Sequence, residues 1–201
     1  MKTAHRSDGT ATRKLILDAT EKIMRDEGYA AVSSRRVAEQ AGLKSQLVHY
    51  HFGTMDDLFL ALYRRSEEEW LQRQMRALTS ANPVTELWKI SIEPNSEFVS
   101  EFIALAVHRE TVREEIARSN DRTRTIQAAV FARALEDARI DSEDLPAEVL
   151  AFIIAALSRT LVTEAALGAS SGHDAVRAFI TRRLQQIEDA ARTHGDALSA
   201  T

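Results

Sequence analysis

The stretch Ser33–Phe52, SSRRVAEQAGLKSQLVHYHF, decides the fold that we predict for this chain. It contains two groups of apolar residues at helical spacing, Val37, Ala38 and Ala41 and then Leu47, Val48, Tyr50 and Phe52. Gly42 lies between the groups, where a chain leaving one helix for another needs a left-handed residue that glycine adopts without steric cost. The stretch therefore predicts two short helices joined by a tight turn, a helix-turn-helix.

The second helix of this pair carries side chains that can donate hydrogen bonds to phosphates or base edges. They are Lys44, Ser45, Gln46, His49 and His51, and no carboxylate lies between Ala41 and Met55. A helix rich in donors and free of acids favours binding to a polyanion. The spacing alone leaves an alternative open, because Ala-Gly-Leu also occurs at ordinary corners between helices that never contact DNA.

The segment Thr12–Leu60, and above all VAEQAGLKSQLVHYHFGTMDDL, resembles the DNA-binding domain of the TetR family of bacterial transcription regulators. In that family such a helix-turn-helix precedes an aromatic-Phe-x-x-x-acid-x-Leu connection into the next helix. The resemblance covers roughly the first quarter of the chain. Four positions depart from the usual pattern and concern individual phosphate contacts: Lys44 replaces Ser, Gln46 replaces Gly, His49 replaces Tyr and Met55 replaces Lys.

Composition indicates a globular protein, with 44% hydrophobic and 28% charged residues in a chain of 201. No window approaches about 20 uninterrupted apolar residues and the N-terminus lacks an apolar core, so we expect no membrane span, no signal peptide and a cytoplasmic location. The chain has no cysteine, which excludes disulfides, thiol catalysis and thiolate metal sites.

The formal net charge of −4 is unevenly distributed along the chain. Residues 1–53 carry nine Lys or Arg against six Asp or Glu, whereas residues 54–201 carry seventeen against twenty-four. This asymmetry would concentrate attraction for phosphate on the N-terminal part. A chance fluctuation in a charged helical surface would produce a difference of the same size.

Residues 1–11 are small and polar, and we predict a disordered arm. Basic residues in and after this arm either follow the DNA backbone or stay solvated, and they are Lys2, Arg6, Arg13 and Lys14. Thr12 is the predicted N-cap of the first helix, which ends at Gly28. Tyr29 and Val32 should then pack beneath the helix-turn-helix.

The start of the first helix of the pair is a candidate phosphate site. Ser33 or Ser34 is predicted to cap it, and a helix N-terminus offers free N–H groups to an anion. Arg35 and Arg36 in its first turn oppose the helix dipole, which favours phosphate contact over a plain surface role.

The start of the second helix should reach the floor of the major groove, because N-terminal residues of recognition helices face the bases. Gln46 is suited to bidentate pairing with adenine, and Lys44 to guanine or a phosphate. The resemblance implies a phosphate contact for His49. A metal site at His49 and His51 is disfavoured, since residues two apart point to different sides of a helix. The predicted DNA contacts are Ser33, Ser34, Arg35, Arg36, Lys44, Ser45, Gln46, Leu47, His49, Tyr50, His51 and Thr54.

The rest of the chain has helical periodicity and no strand pattern of useful length. Thr54 is predicted to cap a long linking helix, and Asn82-Pro83 and Glu93-Pro94 interrupt the helices that follow. We predict an all-α fold of about nine helices, in which a three-helix helix-turn-helix head is joined by the linking helix to a C-terminal helical bundle. The predicted divisions are a disordered arm at 1–11, a DNA-binding domain at 12–54, a ligand-binding and dimerisation domain at 55–192, and a disordered tail at 193–201.

The last two helices present more apolar surface than one small bundle requires, since Val149–Leu167 is apolar around most of its circumference. We predict that they pair with their own copy as a four-helix interface in a symmetric homodimer, as the resemblance also implies. The alternative is an internal bundle in a monomer. The predicted interface residues are Phe152, Leu157, Leu161, Val176, Phe179, Ile180, Leu184 and Ile187.

The middle helices are rich in aromatic residues, which at helical spacing suit a core as well as a pocket. The resemblance implies that a small effector is enclosed between the linking helix and the middle helices, in a mainly apolar cavity with a few polar groups. The predicted lining is Trp70, Met75, Trp88, Phe98, Glu101, Phe102, Leu105, His108, Arg109 and Phe131. For each polar member a core or surface role is an equal alternative.

These observations together predict a ligand-responsive, DNA-binding transcription regulator. We expect a repressor that binds a palindromic operator in double-stranded DNA as a homodimer and is released by a small apolar effector. We expect no cofactor, metal or catalytic residue, because the sequence lacks Glu-x-x-His pairs, His-Glu-x-x-His, a Gly-rich phosphate loop and Gly-x-Ser-x-Gly. The competing class is a helical dimerisation or interaction module without specific DNA binding.

Overall fold

A computed structural model describes residues 3–93, 96–141 and 143–199, and these residues are organised in helices without any strand. They form nine α-helices and a 3₁₀ turn at Tyr29–Ala31. The helices are α1 (Thr3–Glu27), α2 (Ser34–Ala41), α3 (Ser45–Phe52), α4 (Met55–Leu78), α5 (Pro83–Ser91), α6 (Ser96–His108), α7 (Glu110–Asp137), α8 (Ala147–Ala166) and α9 (His173–Ser199). The prediction of an all-α fold with a helix-turn-helix head and a C-terminal bundle is confirmed.

The turn between α2 and α3 forms at Gly42, as the sequence predicts. Gly42 has φ 67° and ψ 32°, a left-handed conformation that costs a side-chain-bearing residue energy. The amide of Leu43 donates to the carbonyl of Ala38 over 2.8 Å, which closes the end of α2. Gly28 similarly ends α1, with φ 82°.

Both termini differ from the prediction. The proposed disordered arm at 1–11 is helical from Thr3 onward, so Thr12 is not an N-cap. No proline interrupts this run, and an internal Gly9 costs a helix only about 1 kcal/mol. The proposed disordered tail at 193–201 is also helical, since α9 continues to Ser199. The remaining residues of both segments lie outside the described ranges.

The chain divides into two compact units, Met1–Glu68 with Glu97–Ala117, and Glu69–Ser96 with Arg118–Thr201. The first unit thus extends beyond the predicted DNA-binding domain at 12–54, because α6 and the start of α7 pack with the head. Phe98, Phe102 and Leu105 of α6 are buried in the same core as Val48 and Phe52 of α3. The functional limits of the domains stay a prediction.

The core of the second unit joins α5, α7, α8 and α9 through residues such as Trp88, Phe131, Leu150 and Leu184. A buried carboxylate fixes the start of α5, where helix N–H groups lack intrahelical partners. Glu188 of α9 accepts hydrogen bonds from Val84 N at 2.7 Å, Thr85 N at 3.3 Å and Thr85 Oγ1 at 2.6 Å. This contact ties α5 to α9.

Helix α8 is long and apolar enough to cross a membrane by length and composition, with a mean hydropathy of 1.7, although its apolar residues do not form one uninterrupted run. A core helix meets the same criterion, so this is weak evidence for a membrane span. Leu150, Ile154 and Leu161 of α8 are buried in the core of the second unit. The buried side of α8 therefore explains part of its apolar character.

Candidate nucleic-acid interface

The predicted reading face of α3 is exposed. Lys44, Ser45 and Gln46 at its start are solvent-accessible, as are His49 and Tyr50 one turn later. Tyr50 is 80% exposed and Leu47 is 37% exposed, whereas Val48 and Phe52 retain only 2% and 4% of their surface. The two buried side chains anchor the helix in the core of the first unit and leave its donor-rich side free for a ligand.

The two histidines of α3 lie in different environments, as their spacing predicts. His49 is exposed, and its Nδ1 lies 3.4 Å from the carbonyl oxygen of Gly53. His51 is half-buried, contacts the Tyr50 ring edge-on with centroids 5.2 Å apart, and lines a cleft in the first unit. His49 therefore belongs to the exposed face, whereas His51 faces the cleft.

Ser33 is the residue that caps α2. Its extended backbone precedes the helix, and its Oγ accepts a hydrogen bond from the amide of Arg36 at 3.2 Å. Ser34 is the first helical residue and is half-buried. The cap leaves the two preceding amides of the first turn, those of Ser34 and Arg35, without an i−4 partner inside α2.

The two arginines of this turn have different partners. Arg36 Nη2 lies 2.5 Å from Glu27 Oε1, and Arg36 Nη1 lies 3.9 Å from Glu39 Oε2. The hydrogen bond that Arg36 donates to Glu27 is the main reason that the pKa of Arg36 is raised above its ordinary value. Arg35 is exposed and forms no ion pair among the described residues. The structure therefore favours Arg35 over Arg36 as a cation available to phosphate.

The Lys and Arg side chains described between Gly9 and Glu68 fall into two sets, those with a carboxylate partner and those without one. Lys22, Arg25, Arg36, Arg64 and Arg65 pair with carboxylates. Those without a carboxylate partner in the described structure are Arg13, Lys14, Arg35 and Lys44. Sequence reasoning did not separate these sets, because partners such as Glu27 and Arg36 are nine residues apart and follow no helical spacing.

The junction between α3 and α4 is fixed by a reciprocal cap at Thr54. The amide of Asp57 donates to Thr54 Oγ1 at 3.1 Å, and Thr54 N and Oγ1 donate to Asp57 Oδ2 at 3.0 and 2.8 Å. Hydrogen bonds from the Thr54 side chain and backbone lower the pKa of Asp57. Thr54 caps α4 as predicted, while its contact with DNA stays a prediction.

The sequence of this region also matches a known protein family. Residues 16–62, which contain α2, α3 and the Thr54 cap, match the family described as bacterial regulatory proteins, tetR family. This N-terminal part of the chain is therefore similar to the DNA-binding domain of TetR-family regulators. The family consists of transcription regulators with a helix-turn-helix and not of enzymes.

Curated relatives of the chain carry names consistent with that similarity. The HTH-type transcriptional regulator BetI of Rhizobium meliloti is 29% identical over 112 residues, which are 53% of this chain and 55% of the relative. The chain thus matches about half the length of BetI. The HTH-type transcriptional repressor AcnR of Corynebacterium glutamicum is 23% identical over 167 residues, covering 81% of this chain and 86% of the relative.

Solved structures show that the TetR fold extends over nearly the whole chain. A TetR transcription regulator from Haloarcula marismortui superposes with a TM-score of 0.70 at 20% identity, covering 94% of this chain and 98% of the other. A transcriptional regulator from Saccharomonospora viridis, solved in complex with choline, gives 0.69 at 18% identity with 94% and 96% coverage. At these identities the likeness establishes the fold.

The predicted effector-pocket residues divide between the two units of the chain. Those in the first unit are Phe98, Glu101, Phe102, Leu105, His108 and Arg109. Glu101 Oε2 accepts a hydrogen bond from Tyr29 N at 2.5 Å, and Arg109 Nη1 pairs with Asp56 Oδ1 at 2.5 Å. These polar side chains therefore attach α6 and its end to the head, and His108 is exposed.

Those in the second unit are Trp70, Met75, Trp88 and Phe131. Trp88 is fully buried and its Nε1 donates to Thr181 Oγ1 at 3.1 Å, while Phe131 is 1% exposed. Met75 is 62% exposed and Trp70 is half-buried, with Arg73 stacked 5.5 Å from its ring centroid. Trp88 and Phe131 thus have core roles, and the pocket as a whole stays a prediction.

The predicted dimer residues do not all face outward. Phe152 of α8 and Phe179 of α9 are 56% and 48% exposed, and Leu157, Val176 and Ile180 are half-buried. Leu161, Leu184 and Ile187 are buried in the core of their own unit, so their assignment to the interface is corrected. The apolar stripe that contains these three residues faces the core between the helices.

Two further apolar residues of α8, Val149 and Ile153, are exposed next to Phe152 and were not predicted from the sequence.

Proposed function

We propose that this chain is a repressor of the TetR family that binds a palindromic operator as a homodimer and is released by a small effector. The observation that carries the proposal is the exposed side of α3, where Lys44, Ser45, Gln46 and His49 have no carboxylate neighbour between Ala41 and Met55. An α-helix of this kind fits the major groove and presents its first residues to the bases.

In this proposal Gln46 reads a base edge, Lys44 reaches guanine or a phosphate, and Arg35 contacts the backbone. The support is their exposure together with the absence of an ion pair at Lys44 and Arg35 in the described structure. Arg36 would contribute less, because Glu27 already neutralises it. Phosphate contacts set affinity and its salt dependence, whereas Gln46 sets sequence preference.

The proposed homodimer uses the exposed apolar residues of α8 and α9. Phe152 and Phe179 are supported by their exposure, and Val149 and Ile153 extend the same surface of α8. A large apolar surface left uncovered in a monomer marks a protein interaction site. A two-fold dimer of this chain would carry two copies of α3, which suits two inverted half-sites in DNA.

The proposed effector is a small, mainly apolar molecule bound among the middle helices. Release would require the effector to prefer a conformation that does not bind DNA, and a coupling of about 1–3 kcal/mol changes affinity roughly 5- to 150-fold. Helix α6 supports this proposal, since Glu101 and Arg109 connect it to Tyr29 and Asp56 of the head. As a DNA-binding regulator, the chain would act in the cytoplasm.

A titration with duplex DNA of random sequence separates this function from an interaction module that does not bind DNA. The full-length chain should shift the duplex at low salt, and log K should fall linearly as log salt rises. The interaction module predicts the same self-association with no shift at any salt concentration. Absence of a shift at low salt would contradict the proposed function.

A further inference from the structure

The second half of α4 contains a buried polar side chain that lies outside the apolar core of its unit. That core is built from α5, α7, α8 and α9, and none of the described α4 residues belongs to it. The buried α4 residues of the second unit are Gln74 and Ala77, and Gln74 is only 3% exposed. Glutamine is mostly an exposed residue, so its burial here requires an explanation.

The amide nitrogen of Gln74 is buried and has no hydrogen-bond partner among the described residues. Most buried side-chain polar atoms in native proteins are hydrogen-bonded, because burial of a polar group without a partner costs free energy. The nitrogen carries two N–H donors. These donors are therefore available to a group that the chain itself does not provide.

The buried face of α7 is also polar over its first turns in the second unit. Ser119 and Gln127 are 5% and 8% exposed, and neither side chain forms a hydrogen bond within the described ranges. Phe131 and Leu135 follow Gln127 at helical spacing and belong to the apolar core. The buried face of α7 thus changes from polar to apolar along the helix.

Helices α4 and α7 run in the same direction where they meet in the first unit. Thr111 Oγ1 donates to Asp56 Oδ2 at 3.2 Å, and further along both helices Arg64 Nη2 lies 3.1 Å from Glu115 Oε2. The two buried glutamines follow about 15 and 18 Å beyond this ion pair, each along its own helix. They therefore lie at similar levels of α4 and α7.

The charges of the buried residues favour a neutral ligand group. None of the described residues that are buried is Lys or Arg, so a carboxylate beside Gln74 would lack a buried cation. Arg124, which is half-buried on α7, stacks 5.0 Å from the ring centroid of Phe152 on α8. Glu188 already accepts three hydrogen bonds at the start of α5, which disfavours it as a partner for an amine. A neutral carbonyl oxygen accepts an N–H donor without needing either charge.

We propose that Gln74 Nε2 donates a hydrogen bond to the neutral carbonyl oxygen of a mainly apolar ketone, ester or amide, bound in the second unit between α4 and α7. Ser119 and Gln127 supply the polar groups of α7 in this site. The inference rests on the proposed function and deepens it, because it names the chemical group by which the small effector is held. Gln74 lowers the stability of the free chain and is satisfied when the carbonyl binds.

The first experiment measures thermal unfolding of the full-length chain without a ligand. Gln74→Met keeps a side chain of similar length and removes the unpartnered amide, so its unfolding midpoint should rise by about 2–4 °C. Gln72→Met is the matched control, because Gln72 is exposed on the same helix, and its midpoint should not rise. A midpoint of Gln74→Met at or below that of the wild type shows that water satisfies the amide, which overturns the inference.

The second experiment titrates two ketones and the alkenes that carry C=CH₂ in place of their C=O. The pairs are cyclohexanone with methylenecyclohexane and acetophenone with α-methylstyrene. The wild type should bind at least one ketone more tightly than its alkene. Gln74→Met should bind that ketone roughly 2- to 13-fold more weakly, which is the effect of one hydrogen bond, and Gln72→Met should bind it like the wild type. Equal affinities of the wild type and Gln74→Met for the ketone, or no binding of either ketone, overturn the inference.

A DNA titration separates this inference from the proposed function. The bound ketone should weaken binding of the wild type to a random-sequence duplex at low salt. A ketone that binds through Gln74 but leaves DNA affinity unchanged supports the carbonyl site and contradicts release by an effector. A wild-type chain that binds no duplex contradicts the proposed function, while the difference between ketone and alkene still decides the role of Gln74.

Discussion

Arg36 and Glu27 form an ion pair at the start of α2, with Arg36 Nη2 2.5 Å from Glu27 Oε1. Its neighbour Arg35 has no carboxylate partner in the part of the chain that the structure describes. Two adjacent arginines that look equivalent in sequence therefore present different net charges to DNA. This difference gives the first prediction.

Arg35→Ala should weaken binding to all duplexes alike and lower the magnitude of the salt slope by about 0.9, the value for one phosphate contact. Arg36→Ala should change the slope less, because its charge is already balanced by Glu27. Fluorescence anisotropy at several salt concentrations measures both variants. Equal salt slopes for the two variants would show that the ion pair with Glu27 does not prevent Arg36 from contacting DNA.

Gln46→Ala should relax sequence preference and cost about 1–3 kcal/mol on the preferred site, because Gln46 is exposed at the start of α3 and suited to bidentate pairing with adenine. Its effect on a random duplex should be small. Competition between the preferred site and its single-base variants measures the change. Unaltered preference would remove Gln46 from the residues that read bases.

Asp57→Asn should destabilise the fold at neutral pH, because the carboxylate accepts hydrogen bonds from Thr54. The pKa of Asp57 is lowered in the folded state, so its contribution is fully present above the unfolded pKa of about 3.9. That contribution is lost as pH falls through the folded pKa. Urea unfolding of the wild type and of Asp57→Asn, from neutral to acidic pH, measures the free energy of unfolding of each. The difference between the two free energies should shrink in acid, and a difference independent of pH would contradict the role of the charged carboxylate.

Glu188→Ala should lower the free energy of unfolding by about 3 kcal/mol, because it leaves buried N–H groups of Val84 and Thr85 without their acceptor. Asp189→Ala is the matched control on the next position, where an exposed carboxylate pairs with Arg192. It should change the free energy by no more than about 0.5 kcal/mol. Similar losses in both variants would argue against a special role for the buried carboxylate.

Phe152→Glu, and independently Phe179→Glu, should convert the proposed dimer to a monomer, since a charge would be buried against the apolar surface of the second copy. Leu15→Glu is a control, because Leu15 is 51% exposed on α1 in the first unit and lies outside this surface. Analytical ultracentrifugation at micromolar concentration reports the assembly. A wild-type chain that sediments as a monomer would contradict the interface.

The local parts of this fold were predictable because their causes are local. Gly42 marks its turn through backbone conformation, and Thr54 marks its cap through a side chain three residues from Asp57. The start of α1 before Thr12 and the end of α9 beyond residue 192 were missed, since polar residues without an apolar stripe give no periodic signal. The apolar residues of α9 were predictable as a stripe, but periodicity does not say whether Leu184 faces its own core or another chain.

The candidate site was predictable in position and less so in detail. The exposed donors of α3 follow from the positions of Val48 and Phe52, which face the core. The partners of individual cations depend on contacts between distant segments, such as Arg64 with Glu115, and no spacing rule gives them. For the same reason, Glu101 was assigned to a pocket, although its carboxylate bonds to Tyr29 N.

The most direct test of the central claim is selection of bound duplexes from a random pool by the full-length chain at physiological salt. The account predicts enrichment of a palindrome whose inverted half-sites lie about one DNA turn, or a multiple of it, apart. Such a result would establish both sequence-specific binding and two-fold pairing of α3. A pool that stays random after repeated selection, with the protein folded throughout, would contradict the account.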